Sequence, residues 1–338
     1  MKPLTFSVLR LLSSDEFRSG EEIAAILGVS RASVSNALAD LGQADIQVFK
    51  VRGQGYRLSQ PVEWLDPEFV VNLLVGDART FALDVANVVE STNTALMQQA
   101  ALGARHGQCL VAELQTGGRG RRGRAWESSI GGSLTFSLLW RFNQGIAQLS
   151  GLSLAVGVAL VRAMRDMGVG DAALKWPNDV VHNYRKLGGI LIELQGEALG
   201  PAAAVIGVGL NVQLSERARG RVDQAVVDMQ GVLGTAPSRN ALLAAILSRL
   251  AEVLSLFERE GFAVLVDEWV AAHAYQGRLV SMALPSGVQE QGWVRGVAED
   301  GSLLVETAGG KKRFATGEIS LRPVTGRHAS APMRERGA

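Results

Sequence analysis

Across 338 residues there is one cysteine, Cys109, so no disulfide can close within a chain. Its place in an apolar run predicts a buried, unreactive thiol, and a reducing, cytoplasmic setting is expected. No stretch of about 18 or more uncharged apolar residues occurs, which argues against a membrane span. Met1 to Ser14 is apolar but runs into a polar helical pattern without a small-residue cleavage site, so no secretory signal is expected. Excess charge of one sign is missing too. The 34 basic and 33 acidic residues leave +1, so any contact with nucleic acid must come from local basic patches. The four histidines, His106, His182, His273 and His328, lack metal-ligand spacing, and no metal-binding residues are expected. The pattern G-x-x-x-x-G-K-[ST] is absent, which removes the ordinary phosphate loop.

What is present is a globular composition, 47% hydrophobic and 20% charged, long enough for about two or three folding units. Leu4 to Ser13 carries apolar residues at helical spacing. Ser19-Gly20-Glu21-Glu22 reads as an N-cap with acids in the first turn of a second helix, Glu21 to Leu27. Gly28-Val29-Ser30 turns into a third helix whose buried stripe is Val34, Leu38 and Leu41. Two β-rich runs, Ile46 to Val51 and Tyr56 to Leu58, flank Arg52-Gly53-Gln54-Gly55, a hairpin turn. Three helices and a hairpin predict a winged helix-turn-helix. Arg31, Ser33 and Asn36 on the third helix would meet base edges or phosphates, and Lys50, Arg52 and Arg57 on the wing the backbone. A protein-docking winged helix is the alternative. Residues 1–60 hold seven basic and six acidic side chains, so one such domain should bind weakly and a homodimer reading two half-sites is expected.

Ser59 to Pro67, with two prolines and no periodicity, reads as a linker. Beyond it, apolar β runs at Cys109 to Glu113, Ser133 to Trp140, Lys186 to Leu194 and Ala202 to Val212 alternate with helical patterns at Asn93 to Leu102, Leu149 to Met167 and Arg239 to Arg259. A mixed sheet backed by helices follows. Four arginines, Arg119, Arg121, Arg122 and Arg124, fall within the six residues 119–124 among glycines. The stretch Gly118 to Gly123 satisfies G-x-G-x-x-G, but arginines fill the positions where a dinucleotide fold needs small side chains, so a flexible cationic loop for phosphate or carboxylate is expected instead. Downstream, Lys175-Trp176-Pro177-Asn178-Asp179 should bend the chain between two strands, with Asp179 a turn former. Lys186 opens the next strand, where Gly188-Gly189 leaves room for a ligand; a solvated lysine before an ordinary strand is the plain alternative.

The pair GRGRRGR and KWPND-x₆-KLGGI, with Glu90-Ser91-Thr92-Asn93 before it and Gly207-Val208-Gly209-Leu210-Asn211 after, resembles the biotin-protein ligase family. Gly317-Glu318-Ile319-Ser320-Leu321-Arg322 adds to the likeness, and with the winged helix the chain is similar, up to about Pro323, to the bifunctional biotin ligase and biotin operon repressor. That resemblance implies activation of biotin by Mg-ATP to biotinyl-5′-AMP and transfer to a lysine of the biotin carboxyl carrier protein of acetyl-CoA carboxylase. It also implies biotin-dependent repression at operator DNA, with a homodimer formed when adenylate is bound. The substrates and cofactors are therefore biotin, ATP and Mg2+, and no membrane partner is expected.

Lys186, Arg119 and Arg121 are the catalytic candidates, because two anions must be held together against their repulsion. The resemblance implies Ser91, Thr92, Asn93, Gln115, Arg119, Gly120, Arg121, Lys186, Gly188 and Gly189 for biotin. It implies Arg121, Arg122, Arg124, Trp126, Lys186, Asn211 and Arg322 for the nucleotide. Ser91-Thr92-Asn93 equally suits a helix cap, and Trp126 equally suits the core. One departure stands out: Gln213 to Gly234 contains no aromatic residue to cover the adenine. Glycine-punctuated β runs between Arg278 and Arg322 predict a small SH3-like barrel.

The expected fold is therefore α+β and multidomain. It comprises a winged helix-turn-helix (1–60), a linker (61–83), a central mixed α/β domain of the biotin/lipoate ligase type (84–274), an SH3-like β-barrel (275–324) and a disordered tail (325–338). A lipoate or octanoate ligase of similar fold, or a repressor with an inactive ligase domain, are the alternatives.

Overall fold

A computed structural model describes residues 2–39, 41, 44–284, 288–315 and 320–323; the expected tail lies outside them. The N-terminal unit comprises α1 (Pro3–Arg10), α2 (Gly20–Leu27), α3 (Arg31–Ala37) and the hairpin β1 (Val48–Val51) with β2 (Gly55–Leu58). Its local signals act as the sequence suggests. Ser19 accepts from Glu22 N and Ser30 from Ser33 N, capping α2 and α3, and Gly28 ends α2 in the left-handed region at φ 64°. Gly55 is required by crowding, since a Cβ there would sit 2.0 Å from the Arg18 carbonyl oxygen.

The region read as a linker is not a free tether. Asp66 caps α4 (Pro67–Leu73) with Pro67 in its first turn, so the proline that suggested a loop begins a helix. Leu65, Val70, Leu74, Ala78 and Phe81 are buried in the main core. Leu65 N donates to Glu113 Oε1 at 2.7 Å and Asp66 N to Asn240 Oδ1 at 2.8 Å.

Next come β3 (Ala82–Val89), α5 (Thr92–Ala101), β4 (Gln108–Gln115), β5 (Ser133–Phe142), α6 (Leu152–Asp166), β6 (Ala173–Lys175), β7 (Asp179–His182), β8 (Arg185–Gly196) and β9 (Ala202–Asn211). They form a seven-stranded sheet in the order β3-β4-β5-β9-β8-β7-β6, parallel only between β3 and β4. After α7 (Glu216–Gly220) and α8 (Met229–Leu233), the long α9 (Arg239–Glu260) packs beside α6, followed by α10 (Val266–Ala272). By length and a mean hydropathy of 1.6, α9 would suit a membrane span, but here it is a core helix whose Leu243, Ile246, Leu247 and Leu250 are fully buried. The central strand β9 is covered on both faces. Ala202, Ala204, Ile206, Val208 and Leu210 join the core under α6 and α9, and Ala203 and Val205 pack on α5. The C-terminal unit is a five-stranded antiparallel sheet of β10 (Leu279–Ala283), β11 (Gln289–Val297), β12 (Leu303–Thr307), β13 (Gly310–Phe314) and β14 (Ser320–Pro323), in the order β13-β12-β11-β10-β14. A register shift bends β11 between Val294 and Gly296.

The N-terminal unit is stitched to the sheet. Ile130 N donates to Ala44 O at 3.1 Å, Gln213 Nε2 to Gln60 Oε1 at 3.1 Å, and Ser215 Oγ to Asp45. Arg10 of α1 lies 3.7 Å from Glu113 Oε1 and stacks over Trp64 at 4.6 Å. Glu113 is fully buried and pairs with Arg239 Nη2 at 2.7 Å, so one carboxylate ties α1, the Glu63 to Leu65 segment, β4 and α9 together.

Two outcomes are expected. Glu113→Ala strands the buried Arg239 charge and should cost about 3–5 kcal/mol in urea unfolding; a loss under about 1 kcal/mol would show that the pair holds little. His273 lies between Trp269 and Tyr275, ring centroids 4.5 and 6.2 Å away, and burial pushes its imidazole from 6.5 down to about 3, against a smaller pull upward from Gln276. The unfolded chain therefore binds an extra proton between those values, and stability falls as pH drops through that window. The slope is at most about 1.4 kcal/mol per pH unit. Thermal melts of His273→Leu should lack this component; unchanged pH dependence would refute the assignment.

Candidate functional site

One cavity of about 790 Å³ opens over the face of the sheet where β9 and β5 change from bulky to small or polar side chains: Ser137, Gly207, Gly209 and Asn211. The glycines make the room. A Cβ on Gly207 would fall 2.1 Å from Asn93 Oδ1, and one on Gly209 would fall 2.4 Å from the Trp126 ring.

At the inner end the start of α5 meets the end of β4. Gln115 Oε1 accepts from Thr92 N at 2.7 Å and Thr92 Oγ1 at 3.1 Å. Asn93 Nδ2 donates to Leu191 O at 3.1 Å and Glu193 Oε2 at 2.9 Å, and Asn93 Oδ1 accepts from Ser137 Oγ. Ser91 lines the cavity and also caps α5 by accepting from Thr94 N, so its two readings are compatible. Trp126 is a cavity wall. Its ring lies over Gly209 with Lys186 Nζ 5.8 Å from its centroid, and its buried indole N–H has no partner among the described residues.

The arginine stretch is a closed loop rather than an open coil: Gly120 N donates to Arg124 O at 2.7 Å and Trp126 N to Gly118 O at 2.8 Å. Arg121 reaches into the cavity, its Nη1 3.5 Å from Asn178 Oδ1. Burial, reinforced by the neighbouring Arg122 charge and opposed by Asp179, pulls the Arg121 guanidinium below its ordinary value. Arg124 and Gly120 also line this cavity, whereas Arg122, in the left-handed region at φ 57°, lines an outer recess with Leu191 and Glu193. Arg119 lies between the two, paired with Glu193 at 2.9 Å.

Lys186 Nζ pairs with Asp179 Oδ1 at 2.7 Å, so Asp179, expected only to turn the chain, begins β7 and anchors the lysine. Asn178 Nδ2 donates to Ile190 O at 2.7 Å and fixes the same corner. Gly189 lines the cavity against Lys186. Gly188 instead faces the core, where a Cβ would meet the Leu210 side chain at 2.3 Å. Asn211 spends its amide on Lys186 O at 3.3 Å and Val227 O at 3.1 Å, holding the 225–227 segment beside β8. That loop, lacking an aromatic, lines the cavity with Leu214, Val222 and Val226, and its Arg221 bridges Glu127 at 3.3 Å and Asp45 at 3.8 Å. Arg322 stands opposite Ser281 in β14, and its side chain lies outside the described residues.

On the N-terminal unit, Arg31, Asn36, Lys50 and Arg52 are exposed and Ser33 half-buried. Arg31 pairs with Glu21 at 3.1 Å and Lys50 Nζ donates to Ser35 Oγ at 3.4 Å. Arg57 turns inward, donating to Ser14 O at 3.0 Å and stacking on Phe17 and Phe49, so it braces the wing.

Sequence reading missed Glu193, Ser137, Arg221 and the aromatic pair Tyr184 and Tyr275 at 5.4 Å, which also line the cavity or abut it. For Glu193 a signal existed, a lone charge within the apolar run Leu187 to Leu194; the others are brought in from distant elements.

Three families match successive parts of the chain: the HTH domain over residues 5–57, the Biotin/lipoate A/B protein ligase family over 85–211, and the Biotin protein ligase C terminal domain over 277–322. The chain is 36% identical to the bifunctional ligase/repressor BirA of Escherichia coli, covering 93% of this chain and 96% of that one. It is 28% identical to the BirA of Bacillus subtilis, over 91% and 95%. Among solved structures, the biotin protein ligase from Aquifex aeolicus in complex with biotin and ATP superposes with a TM-score of 0.61 at 29% identity, covering 72% of this chain and 99% of that one.

Gly209→Ala should displace Trp126 and weaken biotin binding at least about tenfold in calorimetric titration, with an unchanged circular dichroism spectrum. Undiminished affinity would mean that the Trp126 wall is not part of the site.

Proposed function

The chain belongs to the bifunctional biotin protein ligase and repressor family, and on that premise we propose how its residues divide the work. It activates biotin with ATP to biotinyl-5′-AMP, transfers the biotinyl group to a lysine of biotin carboxyl carrier protein, and represses transcription through its N-terminal domain. The observation that carries the residue assignment is the meeting of two cations from distant stretches at one corner: Arg121 on Asn178 and Lys186 on Asp179.

Biotin lies with its ring at Thr92, Asn93 and Gln115, its chain along Trp126 and Gly209, and its carboxylate toward Lys186. The α-phosphate sits between Lys186 and Arg121. There the carboxylate oxygen attacks phosphorus as the bond to pyrophosphate breaks, and the two fixed cations offset the repulsion of the anions. In the second step the carrier's amine attacks the activated carbonyl and AMP leaves. Leu214, Val222 and Val226 cover the adenine with aliphatic surface in place of an aromatic ring. Mg2+ arrives with the triphosphate. Among the described residues no group of three or more His, Cys, Asp or Glu side chains is placed to hold a metal, so phosphate oxygens and water would be its main ligands.

Arg31, Ser33, Asn36, Lys50 and Arg52 form the DNA-facing surface, with Arg57 behind it. A homodimer forms when adenylate is bound. Strand β7 pairs only with Arg185 to Gly189, while β9 continues to Gly196, which leaves the outer edge of β8 available for a second copy. Adenylate and dimerisation then strengthen one another reciprocally. The buried, unpaired Cys109 agrees with a cytoplasmic location.

Incubation of the full chain with biotin, Mg-ATP and a carrier domain should release pyrophosphate and add one biotinyl group to the carrier by mass spectrometry. Lys186→Ala should slow adenylate formation about 10²–10³-fold. Lipoate consumed in preference to biotin would overturn the substrate assignment, and full activity in Lys186→Ala would overturn the mechanism.

A further inference from the structure

Glu193 is the one charged residue between Leu187 and Leu194 of β8, and it lies beneath the arginine loop. Its two oxygens accept from Arg119 Nη2 at 3.0 and 2.9 Å, and Oε2 also accepts from Asn93 Nδ2 at 2.9 Å. Both amide hydrogens of Asn93 are in use, the second on Leu191 O, and its carbonyl oxygen accepts from Ser137 Oγ. Ser137 Oγ is 2.7 Å from Thr92 Oγ1, which donates to Gln115 Oε1. A run of polar contacts therefore links Gln115 to Arg119 along the cavity floor, with the single Ser137 hydroxyl hydrogen shared between Asn93 Oδ1 and Thr92 Oγ1. Such a network orients all its members together.

We propose that Glu193 is a retention residue: through Arg119 it pins the arginine loop over the adenylate, and through Asn93 it ties that pin to the ring end of the cavity. The idea rests on the ligase reading of the site. Arg119 and Arg121 then have different tasks. Arg119 has its charge matched by Glu193 at 2.9 Å and acts as a strut, whereas Arg121 is hydrogen-bonded to the neutral Asn178 amide, the nearby Asp179 being paired with Lys186, and keeps its charge for phosphate. One strut is enough, because the backbone bonds of Gly120 to Arg124 and of Trp126 to Gly118 make the loop move as a unit. The Arg119 and Glu193 side chains are 48% and 29% exposed, so the pair is light enough to release when adenylate is consumed. A half-exposed pair of this kind biases an opening equilibrium by about two- to fivefold.

The test loads the full chain with biotin and Mg-ATP, removes excess substrate, and follows adenylate release and labelling of lysines on added serum albumin. Wild type is compared with Glu193→Ala, Glu193→Gln, Arg119→Ala and the Glu193→Ala/Arg119→Ala double variant. Each single variant should release adenylate about two- to fivefold faster, and the double variant no faster than the worse single one. High salt should speed wild-type release by a larger factor than it speeds release from Glu193→Ala, where only the phosphate contacts remain to be screened. Additive single effects, or unaltered release in both Glu193 variants with thermal unfolding unchanged, would overturn the proposal. A wild-type protein that never accumulates adenylate would overturn the ligase reading itself, and the proposal with it.

Discussion

Strand β9 is buried along its whole length, and the alternation of its side chains decides where a ligand can go. One face supplies Ala202, Ala204, Ile206, Val208 and Leu210 to the core beneath α6 and α9. The opposite face starts with Ala203 and Val205 against α5 and then loses its side chains at Gly207 and Gly209, before Asn211. A strand with larger residues there would fill the sheet's other face and leave no cavity. The same period-two rule that builds the core thus builds the floor of the site, and Asn93 and Trp126 stand where those side chains would have been.

Over that floor the charges are arranged by carboxylates and amides as much as by the cations themselves. Asp179 aims Lys186, Asn178 meets Arg121, and Glu193 occupies Arg119, so three residues within β7, β8 and the corner before them set which cation faces the cavity centre. A cluster of arginines alone would repel itself and scatter. Fixed partners turn the same residues into a field with a direction, the kind of preorganisation that stabilises charge developing between two reacting anions.

Much of this was legible in the chain. The caps at Ser19 and Ser30, the apolar runs of β5 and β9, and the helical pattern of α9 follow from local signals, and the arginine loop and the Lys186 strand, which the fold brings to one cavity, are marked by residue type and spacing. What was not legible depends on contacts between distant elements. Pro67 looked like a loop residue because nothing local shows that α4 has α9 to lie on. Gly188 looked like its neighbour Gly189, but strand alternation turns it toward Leu210. Arg57 sits among wing residues with a basic patch's composition, yet Phe17 and Phe49 draw it inward. Asp179 reads as a turn former until the hairpin places it against Lys186.

The contacts of Ala44, Asp45, Gln60 and Arg10 with the sheet and its loops mean that the DNA reader is not a bead on a string. Wherever two such chains come together, the separation and angle of their recognition helices are dictated by the bodies of the enzymes and not by tether length. An operator read this way tolerates little change in the spacing between its halves, because moving one half by a single base pair also rotates it by roughly a tenth of a turn about the duplex. On the proposed dimeric reading, promoter architecture and catalytic architecture are constrained by the same set of contacts.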